Sequence, residues 1–365
     1  MGFKCGIVGL PNVGKSTLFN ALTKTANAQA ANYPFCTIEP NVGDVAMPEP
    51  RLDVIAKIGG SAQIIPTRMN FVDIAGLVKG ASQGEGMGNQ FLANIRETDA
   101  VIYVLRCFED EDITHVDGRI DPMSDFETIE TELMLSDLES LEKRKGGLEK
   151  KIKQNDKDAI QTMRLIETAI AVLEDGKPAR TADIDEDDAK AWRMLQLLTS
   201  KPVLYVANVD EESAATGNAF SDKVVAHAEA EGAQSVIISA QIESEMALLD
   251  DEEQAEYLGA IGLEEPGLNR LIRKGYALLG LQTYFTVGPK EARAWTFHTG
   301  WTAPKCAGVI HGDFEKGFIR AETTAYEDYV QHNGEQGAKE AGKVRQEGKE
   351  YIVKDGDIML FKFNV

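Results

Sequence analysis

Cysteine is scarce in this chain. Four residues in 365, Cys5, Cys36, Cys107 and Cys306, lie far apart with no C-x-x-C pair. That spacing fits reduced thiols in a cytosol better than a disulfide framework or a cysteine-held zinc site. Long apolar runs are also missing: no stretch approaches the ~18 apolar residues of a membrane-spanning helix, which excludes a membrane protein. The opening MGFKCGIVGL lacks the charged region, apolar stretch and cleavage site of a secretory leader, and Gly6 stands where N-myristoylation would want Ser or Thr. Positive charge is in the minority, with 38 Lys and Arg against 59 Asp and Glu and a net charge of −21. A surface that coats nucleic acid everywhere is thereby excluded, whereas a local basic patch survives the average. No internal repeat is visible, and the acidic clusters Glu109–Asp112, Asp183–Asp188 and Asp250–Glu253 lack calcium-loop spacing. The expectation is an acidic, soluble, cytoplasmic protein of two or three domains with neither a membrane nor a DNA partner.

What is present is apolar alternation. The runs at 3–10, 71–73, 100–108, 202–209 and 235–240 are apolar enough for buried strands and are separated by helical patterns, which reads as a doubly wound parallel sheet. The fold class is therefore α/β: residues 1–124 and 201–280 form a P-loop nucleotide-binding domain. Residues 125–200 form an inserted helical (coiled-coil) hairpin, and 281–365 a small mixed β domain, β-grasp-like on the resemblance given below. In the insertion, Met134, Leu138, Leu141, Leu148 and Ile152 make one a/d-type stripe, and Met163, Ile166, Ile170 and Leu173 a second. Asp156 or Asp158 caps the second helix, and Gly146-Gly147 marks a bend in the first. Lys143, Arg144, Lys145, Lys150, Lys151 and Lys153 face only Glu142 and Glu149, a local charge of 6 − 2 = +4. Both a solvated face and contact with a phosphate backbone explain it.

Gly9-Leu10-Pro11-Asn12-Val13-Gly14-Lys15-Ser16-Thr17 fits G-x-x-x-x-G-K-[ST] between a strand and a helix. Glycines let backbone N–H groups of Asn12, Val13, Gly14 and their neighbours wrap phosphates, Lys15 reaches the β/γ-phosphates, and Ser16 ligates Mg²⁺. Asp73-Ile74-Ala75-Gly76 ends a second strand, where Asp73 can hold Mg²⁺ through water and the Gly76 amide can sense a γ-phosphate. Thr37, in Tyr33-Pro34-Phe35-Cys36-Thr37-Ile38, is the candidate second Mg²⁺ ligand. Cys36 beside it offers redox control of that loop, or is an ordinary small apolar residue. Asn208, Val209 and Glu211 follow one strand and Ser239-Ala240 ends another, the positions that grip a base.

These residues together resemble the YchF-type Obg-like ATPases: G-L-P-N-V-G-K-S-T, then D-I-A-G-L with Gly80, Gly84, Gly86 and Gly88, an inserted hairpin, and H-G-D-F-E-K-G-F-I-R in a tail similar to a TGS domain. The resemblance covers the whole chain and implies Mg²⁺-dependent hydrolysis of ATP in preference to GTP, a translation-factor-class fold, and association with the ribosome.

Base choice also follows from chemistry. A guanine site uses N-K-x-D; here Val209 replaces the lysine and Glu211 the aspartate, and the displaced carboxylate pairs badly with a guanine edge. Adenine would be held by the Asn208 amide and the backbone around Val209. Leu77 stands where a water-orienting glutamine follows D-x-x-G in Ras-like sites. His115, in the loop after VIYVLRCF, is one substitute; Asn12, similar to the asparagine of potassium-activated P-loop GTPases, is another, with K⁺ as cofactor. In the tail, Lys305, His311, Lys316 and Arg320 with Trp295, Trp301, Phe314 and Phe318 form either an RNA face or, for most of the aromatics, a core. Two rival readings stay open: a GTPase with a degenerate base motif, and a ribosome- or RNA-binding module with a slow, regulatory nucleotide site.

Overall fold

The computed structural model describes residues 3–30, 41–74, 88–110 and 120–364. In chain order these form β1 (Lys4–Val8), α1 (Lys15–Ala30), β2 (Val42–Ala46), α2 (Pro50–Gly59), β3 (Gln63–Ile65), β4 (Arg68–Asp73), α3 (Gly88–Arg96) and β5 (Ala100–Cys107). Next come α4 (Pro122–Lys153), α5 (Lys157–Glu174), α6 (Ala189–Met194), β6 (Val203–Val209), α7 (Ala219–Ala230), β7 (Gln234–Ile238), α8 (Ala240–Met246), α9 (Asp251–Ile261) and α10 (Gly267–Leu278). The last stretch holds β8 (Leu281–Val287), β9 (Glu291–His298), α11 (Ala303–Ile310), α12 (Gly312–Lys316), β10 (Phe318–Thr324), α13 (Tyr326–Gln331), α14 (Glu335–Glu340), β11 (Arg345–Glu347) and β12 (Ile358–Phe363).

Two compact units emerge, Met1–Asp44 with Asn70–Leu271, and Val45–Met69 with Ile272–Val365. The first carries a sheet in the order β2-β4-β1-β5-β6-β7. Strands β4, β1, β5, β6 and β7 pair in parallel. Every residue of β5 and β6 is buried, as strands covered on both faces require. Because the chain moves to one side of β1 for β4 and to the other for β5, the order reverses at β1. Ligands of open α/β sheets bind at the carboxyl ends of the strands flanking such a reversal.

The insertion between β5 and β6 starts with a proline at the first position of α4 and an N-cap bond from the Ser124 N–H to Asp121. Its 32 residues make a helix about 48 Å long at 1.5 Å per residue. Gly146-Gly147 does not break it; α4 runs through both. Of the two candidate caps of α5, Asp156 is the one used, accepting from the Ala159 N–H at 3.0 Å. Leu141, Ile166, Ile170 and Leu173 from the two stripes are buried together, but the hairpin is not a bare two-helix coil. Ala179, Leu195 and Leu197 close a third side. Arg144 belongs to that closure: its guanidinium donates to the Leu195 carbonyl at 2.7 Å, so it is a fold contact rather than a tip cation.

At the foot of the hairpin a buried polar cluster joins it to the sheet. Tyr103 of β5 donates to Glu130 of α4, and Arg180, just beyond α5, pairs with Glu130 as well. Arg180 also donates to both oxygens of Glu231 at 3.3 Å, and Tyr205 of β6 donates to Glu231 at 2.6 Å. Tyr103 and Tyr205 face each other in register and stack with ring centroids 5.8 Å apart.

The second unit is a mixed sheet in the order β11-β10-β12-β8-β9-β3. Its β8–β9 hairpin is antiparallel, and β12 joins β8 in parallel. Alternation sends Tyr284, Phe297, Phe318, Met359 and Phe361 to the face covered by α11, and Phe285, Ala292, Ala294 and Ile358 to the opposite face. Residues 45–69, which sequence reading assigns to the nucleotide-binding domain, group with this unit. The physical reason is α2, whose Leu52, Ile55 and Ala56 pack on that opposite face. Arg51 further ties α2 to Asp355 at 2.8 Å. Among the tail aromatics Phe318 is core, and Trp295, Trp301 and Phe314 pack half-buried against it. Lys316 and Arg320 are exposed, His311 is exposed but accepts from the Asp313 N–H at 3.2 Å, and the Lys305 ammonium lies 5.5 Å above the Trp301 ring. The tail therefore presents scattered cations beside core aromatics, not a stacked basic-aromatic face.

Candidate nucleotide site

At the carboxyl end of β1 the chain turns through a loop that only particular residues permit. Gly14 has φ +89°, and a Cβ there would meet the Asn208 amide nitrogen at 2.1 Å. A Cβ at Gly9 would meet the Val104 carbonyl oxygen at 2.7 Å. Asn12 sits at φ +65°, a conformation asparagine tolerates better than most residues. The loop feeds α1, so its backbone N–H groups and the helix start share one end of a cleft of about 1400 Å³.

Asn12, Gly14, Lys15, Ser16, Thr17, Asn208, Val209, Glu211, Ser239 and Ala240 all line this cleft. Val13 is buried beneath it. Lys15 is buried and its ammonium donates to Asp73 at the end of β4, which places a cation and a carboxylate side by side at the phosphate end. Ser16 and Asp73 supply hard oxygen donors there, the chemistry that suits Mg²⁺, an ion usually held by one or two protein groups together with phosphates and water. The other named candidates, Thr37, Gly76 and His115, lie outside the described residues, as do Cys36 and Leu77.

Asn208 has a positioning part in the cleft. Its Nδ2 donates to the Val13 carbonyl at 2.9 Å and its Oδ1 accepts from the Ala240 N–H at 2.9 Å, with the residue 3% exposed. It thus locks the phosphate loop to the β7–α8 turn. Sequence reasoning missed Asn218, whose amide donates to the Cys107 carbonyl at 2.7 Å while its Oδ1 accepts the Phe220 and Ser221 amides at the start of α7. This ties the end of β5 to the start of α7. Also missed were Phe108, Glu109 and Asp110 after β5, and Glu212 and Phe220 beyond β6; Asp210, inside the expected Asn208–Glu211 stretch, lines the cleft with them. Their position just past buried parallel strands was the available signal. The base end of the cleft therefore carries five carboxylates, while Lys15 is the one lysine or arginine among the described lining residues.

A buried strand, a glycine-tailored loop at a switch point, a helix and a lysine–aspartate pair define a P-loop nucleotide-binding protein. Comparison with known proteins narrows the class. The 50S ribosome-binding GTPase family model matches residues 4–135, and the YchF-GTPase carboxyl-terminal model, described as a protein of unknown function, matches residues 281–364. The "Ribosome-binding ATPase YchF" of Haemophilus influenzae is 60% identical over 365 residues, all of both chains. Those of Escherichia coli O157:H7 and Bacillus subtilis, also covered completely, are 57% and 53% identical. The solved structure of the Schizosaccharomyces pombe YchF GTPase superposes with a TM-score of 0.89 at 37% identity, covering 99% of this chain and 98% of that one. The chain belongs to the YchF family.

Proposed function

We propose that the chain is an ATPase that hydrolyses ATP to ADP and phosphate with Mg²⁺ and associates with the ribosome in the cytoplasm. The observation that carries this is the P-loop cleft itself: Lys15 and the loop amides gather at one end, and the far end is acidic with no lysine or arginine among the described residues. The bacterial relatives bear the name ribosome-binding ATPase, which supports the same reading. Water attacks the γ-phosphate directly, Lys15 and backbone N–H groups stabilise the charge that develops, and Ser16 and Asp73 would hold Mg²⁺, which neutralises phosphate charge when bound. Thr37 completes the metal set in this reading and Gly76 meets the γ-phosphate. His115 orients the water, or Asn12 supports a K⁺ ion that does the equivalent electrostatic work.

The ribosomal contact falls to the hairpin. Lys150, Lys151, Lys153 and Lys157 are exposed on either side of the turn at 154–156, a cationic end suited to an RNA backbone. No described helix is long and apolar enough to cross a membrane, and neither a membrane nor DNA enters this reading. A GTPase is the alternative, favoured by the description of the fission-yeast relative. Competition of ATP and GTP against a fluorescent nucleotide separates the two; ATP should win. Lys15→Ala should lower turnover at least ~100-fold, and full turnover in that variant would defeat the mechanism.

A further inference from the structure

Strand β5 is buried along its whole length, yet it carries one charged residue, Arg106, which is 1% exposed. A guanidinium taken out of water needs partners for its fork of donors. Its Nε donates to the Phe108 carbonyl at 3.2 Å and its Nη2 to the Asp110 carbonyl at 3.3 Å. The guanidinium carbon also lies 4.6 Å from the centre of the Phe108 ring, a cation–π contact. Phe108 and Asp110 both line the nucleotide cleft. Residues 108–110 belong to no helix or strand, so no ladder or helical turn supplies their backbone partners. Side chains do that work: Arg106 holds the carbonyls of Phe108 and Asp110, and Asn218 holds that of Cys107 at 2.7 Å. Arg106 also stands opposite Asn208 in the parallel pairing of β5 and β6. At one level of the sheet, therefore, Asn208 fixes the phosphate loop and Arg106 fixes the segment that leaves β5.

Resting on the nucleotide-site reading of the cleft, we infer that Arg106 is a positioning residue for nucleotide binding, which holds Phe108–Asp110 as a preformed wall of the base end. It acts from beneath the wall, buried, and touches no ligand itself. A wall ordered before the ligand arrives loses no conformational entropy when the ligand binds, and that saving appears as affinity. Arginine suits the task because its planar fork places donors at two separated carbonyls. A lysine ammonium keeps the charge but is a single point and cannot occupy both the Nε and Nη2 positions. The phosphates are gripped at the other end of the cleft by Lys15 and the loop amides. The wall therefore serves the nucleoside half of the ligand.

The test compares a ligand that has a nucleoside with one that lacks it. ADP and inorganic tripolyphosphate, each with Mg²⁺, are competed against a fluorescent ADP on wild type and Arg106→Lys. The variant should bind ADP about five- to thirtyfold more weakly and tripolyphosphate within about twofold of wild type. Its KM for ATP should rise by a similar factor while kcat stays within about twofold. Unchanged ADP affinity overturns the inference. So does an equal loss for both ligands, because a merely structural fault would weaken the whole cleft. Stopped-flow binding of fluorescent ADP to wild type tests the wall without any variant. The observed rate should rise linearly with ADP concentration, and a plateau, the mark of a wall that orders after binding, overturns the inference. A wild type that binds neither ADP nor ATP would instead remove the nucleotide-site reading beneath it.

Discussion

Removing the Arg180 guanidinium should loosen the foot of the hairpin by several kcal/mol. Its side chain is 13% exposed and that of Glu130 is 5% exposed, so the pair is shielded from bulk water. In Arg180→Met the Glu130 carboxylate keeps Tyr103 as its one hydrogen-bond partner among the described residues and stays buried without a compensating charge. Breaking such a buried pair from one side costs about 3–5 kcal/mol. The bonds to Glu231 at 3.3 Å, on a side chain 21% exposed, add less. The readout is native-state hydrogen exchange at amides of α4 and β5, where that cost speeds exchange by roughly 100- to several-thousand-fold. Neutralising the orphan carboxylate with Glu130→Gln in the same chain should recover about 1–2 kcal/mol, because the two changes share one interaction. An exchange change below about threefold, or a double variant worse than the single, would refute the claim that this cluster couples hairpin and sheet.

Reversing Lys150, Lys151 and Lys153 to Glu should weaken ribosome co-sedimentation and flatten its salt dependence, by roughly one logarithmic unit of slope for each phosphate no longer neutralised, leaving ATP turnover in place; binding unchanged across a salt series would contradict this. Reversing Lys143, Arg144 and Lys145 is the less clean experiment, since Arg144 holds Leu195. Burial pushes the Glu243 carboxyl from 4.5 up to about 7, against the lowering effect of the Gly267 and Leu268 amides. Between those values the folded chain keeps a proton that the unfolded chain has shed, so stability falls as pH rises from about 4.5 to about 7, by at most ~3 kcal/mol. Urea melts of Glu243→Gln should be flatter across that window, and an unchanged pH slope would remove Glu243 as the source. Burial also raises the Cys5, Cys107 and Cys306 thiols to about 12. At pH 8 only about one in 10⁴ is thiolate, so mass spectrometry after brief treatment with a thiol reagent should find these three unlabelled.

Much of the first unit could be read from residue order because its signals are local. Runs such as AVIYVL are apolar throughout, and a strand hidden on both faces needs that. The glycine loop announces itself because phosphates must meet backbone. What escaped was long-range pairing. Asn208 reads as a base ligand by its place at the end of β6, and what sequence order hid is its tie to Val13 and Ala240, 195 and 32 residues away. The grouping of α2 with the tail depends on Leu52 and Ile55 meeting Phe285 and Ile358, which no local pattern reveals. Arg144 looked like one more tip cation until the segment ending in Leu195 folded back to meet it. Asn218 was missed because its role as a helix cap hides its second role as a tie from the start of α7 to the end of β5.

Side-by-side turnover of ATP and GTP by wild type, with Mg²⁺ and with and without ribosomes, tests the central claim most directly. The account predicts hydrolysis of ATP well above GTP and abolished by Lys15→Ala, together with co-sedimentation of the protein with ribosomes. Turnover of GTP above ATP, or no retention on ribosomes, would contradict it.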